Sequence, residues 1–144
     1  MPARKSDVTV TYPEDVETLR YDWGTIQMLC TKQRQGSKSM SFGIVDSKPG
    51  GSHALHCHAK ETEIIYVVSG KAKLLLENQL PQKLKPGAMI YVPAGAMHAT
   101  VNIGQGLLRV IIVYSPAGPE NMLRQMEGCR VVAPRSKPAR KPRK

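Results

Sequence analysis

Apolar positions along the chain come in short runs separated by Gly, Pro, Asn and Ser, with a turn signal roughly every 8 to 12 residues. Runs of this kind cover residues 25–30, 63–69, 71–77, 80–84, 88–92, 98–103 and 107–114. Over residues 40–45, Met40, Phe42 and Ile44 alternate with Ser41, Gly43 and Val45, the period of two that a pleated strand requires. A further alternating piece, residues 8–12, is an edge-strand candidate closed by Pro13. Residues 32–37 and 48–51 read as turns. Only residues 119–127 break the pattern. Pro119 suits a first helical turn and Gly128 a stop, and Met122, Leu123 and Met126 share a face. Many short strands and one terminal helix predict an antiparallel barrel or jelly roll. The helix is expected to pack on one end of the barrel.

Two strands are apolar on both faces, residues 64–68 and 107–113. One face fills the barrel. The other needs a cover, either further strands or a second subunit.

With 144 residues, 41% hydrophobic and 22% charged, the chain suits one domain with its own core. It divides into an N-terminal arm (1–19), a β-barrel with its helix (20–128) and a basic tail (129–144). No apolar run reaches the roughly 18 residues of a membrane span. The N-terminal residues lack an apolar h-region, so the expected location is cytoplasmic. Three scattered cysteines form no disulfide framework, which agrees with a reducing compartment. Of the net charge of +10, six positive charges fall after residue 130, among Pro134, Pro138 and Pro142. Such a segment cannot bury apolar surface and is expected to be a solvated, disordered tail. No aromatic residue is interleaved with its charges, so nucleic-acid binding through it is not expected.

The chemistry concentrates in two blocks. His56 and His58 are two apart, which places both imidazoles on one face of an extended segment. Cys57 between them points away. Glu63 leads an apolar run, and a buried carboxylate there needs a partner. His98 follows a Pro-Ala-Gly turn. Imidazoles and a carboxylate together suit a transition metal.

These blocks resemble the two signature motifs of the cupin superfamily. Gly50, His56, His58, Glu63 and Gly70 match G-x5-H-x-H-x4-E-x6-G. Gly87, Pro93, Gly95, His98 and Asn102 match G-x5-P-x-G-x2-H-x3-N. At roughly 1 in 20 per position, agreement at all of them by chance is on the order of 10⁻¹³. The resemblance implies an all-β fold, the cupin-type double-stranded β-helix or jelly-roll barrel, with a short C-terminal helix. It implies His56, His58, Glu63 and His98 as ligands of one divalent transition metal ion: Mn, Fe, Ni, Co, Cu or Zn. It also implies a homodimer. Gly95, Pro93 and Asn102 read as architectural.

By strand parity Ile65 and Val67 share the face of Glu63, and Thr100 that of His98. Met28, Met40, Phe42 and Met89 are further candidates for the pocket lining. His53, outside the motif, is either a proton carrier at the mouth or an exposed loop residue. Tyr66, Tyr91 and Arg109 are the nearest other polar groups, and Tyr66 has the wrong parity for a base. Some cupin lyases carry a tyrosine two residues after the Glu ligand, where this chain has Ile65. The expected function is a metal-dependent enzyme on a small organic substrate, a dioxygenase or decarboxylase. The alternatives are a redox-neutral lyase, isomerase or cyclase with a Lewis-acid metal, and a non-enzymatic small-molecule-binding or sensor cupin.

Overall fold

A computed structural model describes residues 7–136. The first strands are β1 (Thr18–Tyr21) and β2 (Gly24–Cys30), a hairpin joined by Asp22 and Trp23. A Cβ on Gly24 would meet the Asp46 carbonyl oxygen at 2.0 Å, so only glycine lets this hairpin end press against the next strand. One helical turn, α1 (Lys32–Gln35), follows. Thr31 caps it through the Arg34 N–H, and Gly36 closes it in the left-handed region at φ 73°.

Seven strands complete the barrel: β3 (Ser41–Ser47), β4 (Thr62–Ser69), β5 (Ala72–Leu76), β6 (Gln82–Leu84), β7 (Met89–Val92), β8 (His98–Asn102) and β9 (Leu108–Ser115). A tenth, β10 (Arg130–Val132), comes from the C-terminal segment. All ladders are antiparallel. A seven-stranded sheet runs β10-β1-β2-β3-β9-β4-β7, and a three-stranded sheet runs β6-β5-β8. Their inner faces share one core: Ile65 and Val67 of β4 and Val110 and Ile112 of β9 pack with Ala72 and Leu74 of β5. A second cluster, Leu19, Tyr21, Ile26 and Leu123, seals the end where the terminal helix lies. No helix among the described residues is long and apolar enough to cross a membrane.

Several elements differ from the sequence reading. Residues 8–12 form no strand among the described residues: Val8 and Val10 are exposed, and the sheet edge beside β1 is taken by β10. β10 itself falls in the stretch read as a solvated tail. Its two β-branched residues suit a short strand that a reading by charge and proline passes over. Residues 137–144, the rest of that expected tail, lie outside the described residues, as do residues 1–6. The segment holding His56 and His58 is irregular rather than a strand, tied to β8 by isolated bridges at Ser52–Val101 and His56–His98. The terminal helix is a 3-10 helix, Pro119–Gln125. Its first turn holds Glu120 inward, where Oε2 accepts hydrogen bonds from Ser41 Oγ and the Gly118 N–H.

Candidate metal centre

Backbone pairing builds the site. The His56 and His98 amides each donate to the other's carbonyl, at 3.1 and 2.8 Å, which sets the two imidazoles 4.4 Å apart. Gly95, at φ 83°, makes the turn before His98 and donates its N–H to the His58 carbonyl at 2.7 Å. The Pro-Ala-Gly turn therefore fixes two of the histidines at once. Glu63 stands near the start of β4, opposite Val92 on one side and Tyr114 on the other.

The donor atoms of His56, His58, Glu63 and His98 all lie within 4.8 Å of one another. Glu63 and His98 are buried, and the other two are half-buried. His56 Nδ1 donates to the Ala54 carbonyl at 2.6 Å and His98 Nδ1 to that of Ala96 at 2.9 Å, leaving each Nε2 for the cluster. His58 Nε2 is buried without a hydrogen bond; Glu63 Oε1 is 3.4 Å away. An orphaned buried nitrogen is costly unless something fills its lone pair. Three imidazoles and one carboxylate, with no thiolate, fit a divalent transition ion with open coordination positions.

The electrostatics agree with that fit. Burial, and then the neighbouring His53, push the His56 pKa down to about 4, so this ring is neutral at physiological pH. Burial also lowers His53, against the pull of Glu63. For Glu63, burial favours the neutral acid, but the imidazoles of His58 and His98 outweigh it and the pKa is lowered. For His98, burial opposes the charged form, but Glu63 Oε1 at 2.7 Å and the Ala96 carbonyl raise its pKa. A cation would take the place of the proton between His98 and Glu63.

His56, Glu63 and His98 open into a cavity with about 50 Å³ of free space. One water needs roughly 10–15 Å³, so the cavity holds a ligand of only a few heavy atoms. Its walls are Ile26, Val45, Ile65, Val110, Ile112 and Leu123, with Thr100 and Tyr114 as hydroxyls and Trp23 and His53 at one side. Among the described residues no Lys or Arg lines it. A larger cleft of about 670 Å³ lies beyond the 3-10 helix, between Glu17 and Arg34. It contains none of the four converging donors.

Of the seven lining candidates, Ile65 and Thr100 are on the cavity wall. Val67 packs deeper in the core. Met28 lines the larger cleft, and its sulfur fills the space above Gly43. Met40 and Met89 are exposed on the outside. Phe42 is off the wall because β3 presents its other parity inward, with Ser41 and Ser47 buried and Val45 on the cavity. Tyr66 and Tyr91 also face outward, and Arg109 is engaged by Asp46 through two 2.8 Å hydrogen bonds. Cys57 is exposed. His53 is half-buried beside the ligands, its ring 4.1 Å from that of His56 and its Nε2 3.3 Å from Met126 Sδ.

Sequence reasoning missed Tyr114, 4% exposed and edge-on to His58 at 5.0 Å. Burial, then Glu63 and Glu120, hold its phenol well above the ordinary value, so it stays protonated. Trp23 and Leu123 were missed as well. Tyr114 was in principle readable once its register opposite Glu63 was known; the uniformly apolar β9 carried no parity signal of its own.

The fold and site define a cupin: the family model for the cupin domain matches residues 43–114, half of the chain. The chain belongs to that family, and its fold is the double-stranded β-helix. It is 29% identical over 115 residues to an oxalate-binding protein of Thermotoga maritima, covering 78% of this chain and 92% of that protein. Among solved structures it is similar to a predicted oxalate decarboxylase from Thermotoga maritima, with TM-score 0.64 and 23% identity over 75% of this chain and 99% of the other. It is likewise similar to KdgF from Halomonas sp., with TM-score 0.67 and 20% identity over 78% and 99%.

Proposed function

We propose that this protein is a metal-dependent cupin that binds a small carboxylate and decarboxylates it. The observation that carries the reading is the pairing of a three-imidazole, one-carboxylate cluster with a cavity of only a few atoms' capacity. The relative described as oxalate-binding supports the ligand class. A cavity this small favours a short acid over the ring substrates of many dioxygenases.

His56, His58, Glu63 and His98 would hold the cation, which supplies Lewis-acid polarisation of a bound carboxylate when present. The apolar walls exclude water and leave the ligand's charge no competing cationic side chain. Loss of CO2 from a carboxylate leaves an electron pair on carbon that takes up one proton. His53 Nε2, beside Met126 at the edge of the cluster, is the proton carrier of this reading.

A second reading, a carboxylate-binding protein without turnover, is favoured by one feature. Among the described residues, His53 and Tyr114 are the cavity's only ionisable groups besides the ligands, a sparse set for proton transfer. The reading also includes a cytoplasmic location, suited to three free cysteines, and a homodimer formed through the outer face of β4, β7 and β9.

The test is metal analysis of the purified protein, followed by anaerobic incubation of each metal-loaded form with oxalate and other two- to four-carbon acids. Stoichiometric CO2 and the shortened acid are expected. The Glu63→Gln variant is expected to lose both metal and product. Binding without product would select the second reading. Neither binding nor product with any ion would remove both.

A further inference from the structure

One polar group on the cavity wall has no use in the fold. The Tyr114 hydroxyl makes no hydrogen bond to any described residue, although the side chain is 4% exposed. Tyr21, at 1% exposed, shows the ordinary arrangement: its hydroxyl donates to the Leu123 carbonyl at 2.5 Å. The hydroxyl faces the open space of the cavity rather than being sealed in the core. A hydroxyl so placed is free to bond a ligand or water.

Its position says what that ligand is. Across the ladders Tyr114 is paired with Glu63 on β4 and with Ser41 on β3. Its ring therefore shares the inner face with the Glu63 carboxylate and meets the His58 imidazole edge-on. A carboxylate with one oxygen at the ligand cluster has a second oxygen to place. Among the described residues no Lys or Arg reaches the cavity to receive it. The neutral donors on the wall are Tyr114 on β9, Thr100 on β8, and Trp23 and His53 at one side. Only the phenol lies on the ladder that carries Glu63.

We propose that Tyr114 is the ligand-orienting donor of the cavity, its phenol O–H donating to the carboxylate oxygen directed away from the four ligating side chains. The inference rests on the small-carboxylate reading and assigns the residue that makes the site specific for an acid. A hydrogen bond to a charged acceptor is stronger than one to a neutral carbonyl, so this donor favours carboxylates over amides and aldehydes of the same size.

The experiment compares metal-loaded wild type, Tyr114→Phe and Thr100→Val. Oxalate affinity is measured by calorimetry, metal affinity by competition with a chelator, and stability by thermal melting. Tyr114→Phe is expected to bind oxalate roughly 10- to 100-fold more weakly. Metal affinity should be unchanged and the melting temperature no lower, because the deleted hydroxyl bonds to nothing in the fold. Thr100→Val should keep oxalate affinity within about threefold. As a check on the wild type alone, oxalate should perturb the ultraviolet absorption of a buried tyrosine, a signal absent from Tyr114→Phe.

Equal oxalate affinity in wild type and Tyr114→Phe overturns this inference and leaves the carboxylate reading standing. A lower melting temperature or lost metal in Tyr114→Phe would make the hydroxyl structural and also overturn it. Failure of the wild type to bind oxalate or any short acid overturns the reading and the inference together.

Discussion

At the scale of single residues, the histidines set how the metal-free protein answers to pH. His56 has an ordinary value of 6.5 and a folded value of about 4. Between those limits the unfolded chain takes up a proton that the folded chain refuses, so stability falls as pH drops through that window. His53 is shifted the same way. His98 is shifted upward. Its contribution is fully present below 6.5 and is lost only as pH rises through its folded value. Glu63, lowered from 4.5, loses its contribution only below that value. Of these four groups, His56 and His53 carry the slope between about pH 6.5 and 4.5. Thermal melts of metal-free protein should show a lower melting temperature at pH 5 than at pH 6.5, and substituting Gln for both His53 and His56 should flatten that difference.

Asn102 is the other residue whose side chain decides something locally. At 1% exposed, it donates to the carbonyls of Ser47 (2.9 Å) and Gly106 (2.8 Å) and accepts from the Gly104 N–H (2.9 Å). It ties the end of β8 to the end of β3 and to the following turn. Asn102→Ala leaves three backbone groups without partners and should cost about 2–4 kcal/mol in urea unfolding. The protein that remains folded should keep its metal, since the ligands lie elsewhere.

At the scale of elements, the 3-10 helix Pro119–Gln125 carries the most consequence for its length. Leu123 is 5% exposed, packs with Leu19, Tyr21 and Ile26, and also walls the metal cavity. Its carbonyl receives the Tyr21 hydroxyl, a bond that a side-chain truncation leaves intact. Leu123→Ala should therefore cost only packing, about 2–5 kcal/mol, read as a lower midpoint in denaturant. The same variant should enlarge the cavity and admit longer acids than the wild type accepts, measurable as a changed ranking in a carboxylate panel. The elements also show how sequence and structure diverge. The strands from Thr62 onward were legible because their turns carry Gly and Pro at short intervals. The β1–β2 hairpin was less so, because its two-residue turn, Asp22-Trp23, contains neither. β10 was hidden by the charges and prolines around it.

At the scale of the whole molecule, the outer face of β4, β7 and β9 is an apolar sheet face that no described residue covers. Ile64 stands opposite Tyr91 and Tyr66 opposite Met89 across the β4–β7 ladder, and all four are exposed. Ile111 and Val113 continue the patch across the β4–β9 ladder, opposite Tyr66 and Ile64. A contiguous apolar sheet face suits a second copy of the chain. Sedimentation should give a dimer for the wild type and a monomer for Ile64→Lys combined with Tyr66→Glu. Metal content should be the same in both, because the ligands lie on the opposite face of the sheet.

What could be read without coordinates was whatever depends on spacing. The two histidines two apart, the acid five residues after them and the distant His98 were legible because ligand geometry constrains residue type and interval together. The alternating and apolar runs announced an all-β chain for the same reason. Which side of each strand looks inward was not legible where both sides are apolar. There the register between distant strands decides, and it set Val45 on the cavity instead of Phe42, turned Met40 and Met89 outward and brought Tyr114 to face Glu63. Parity is a local property that composition can reveal only when one face is polar. The cavity wall and its small size belong to contacts among β2, β3, β4, β8, β9 and the 3-10 helix, and no segment of the chain encodes those alone.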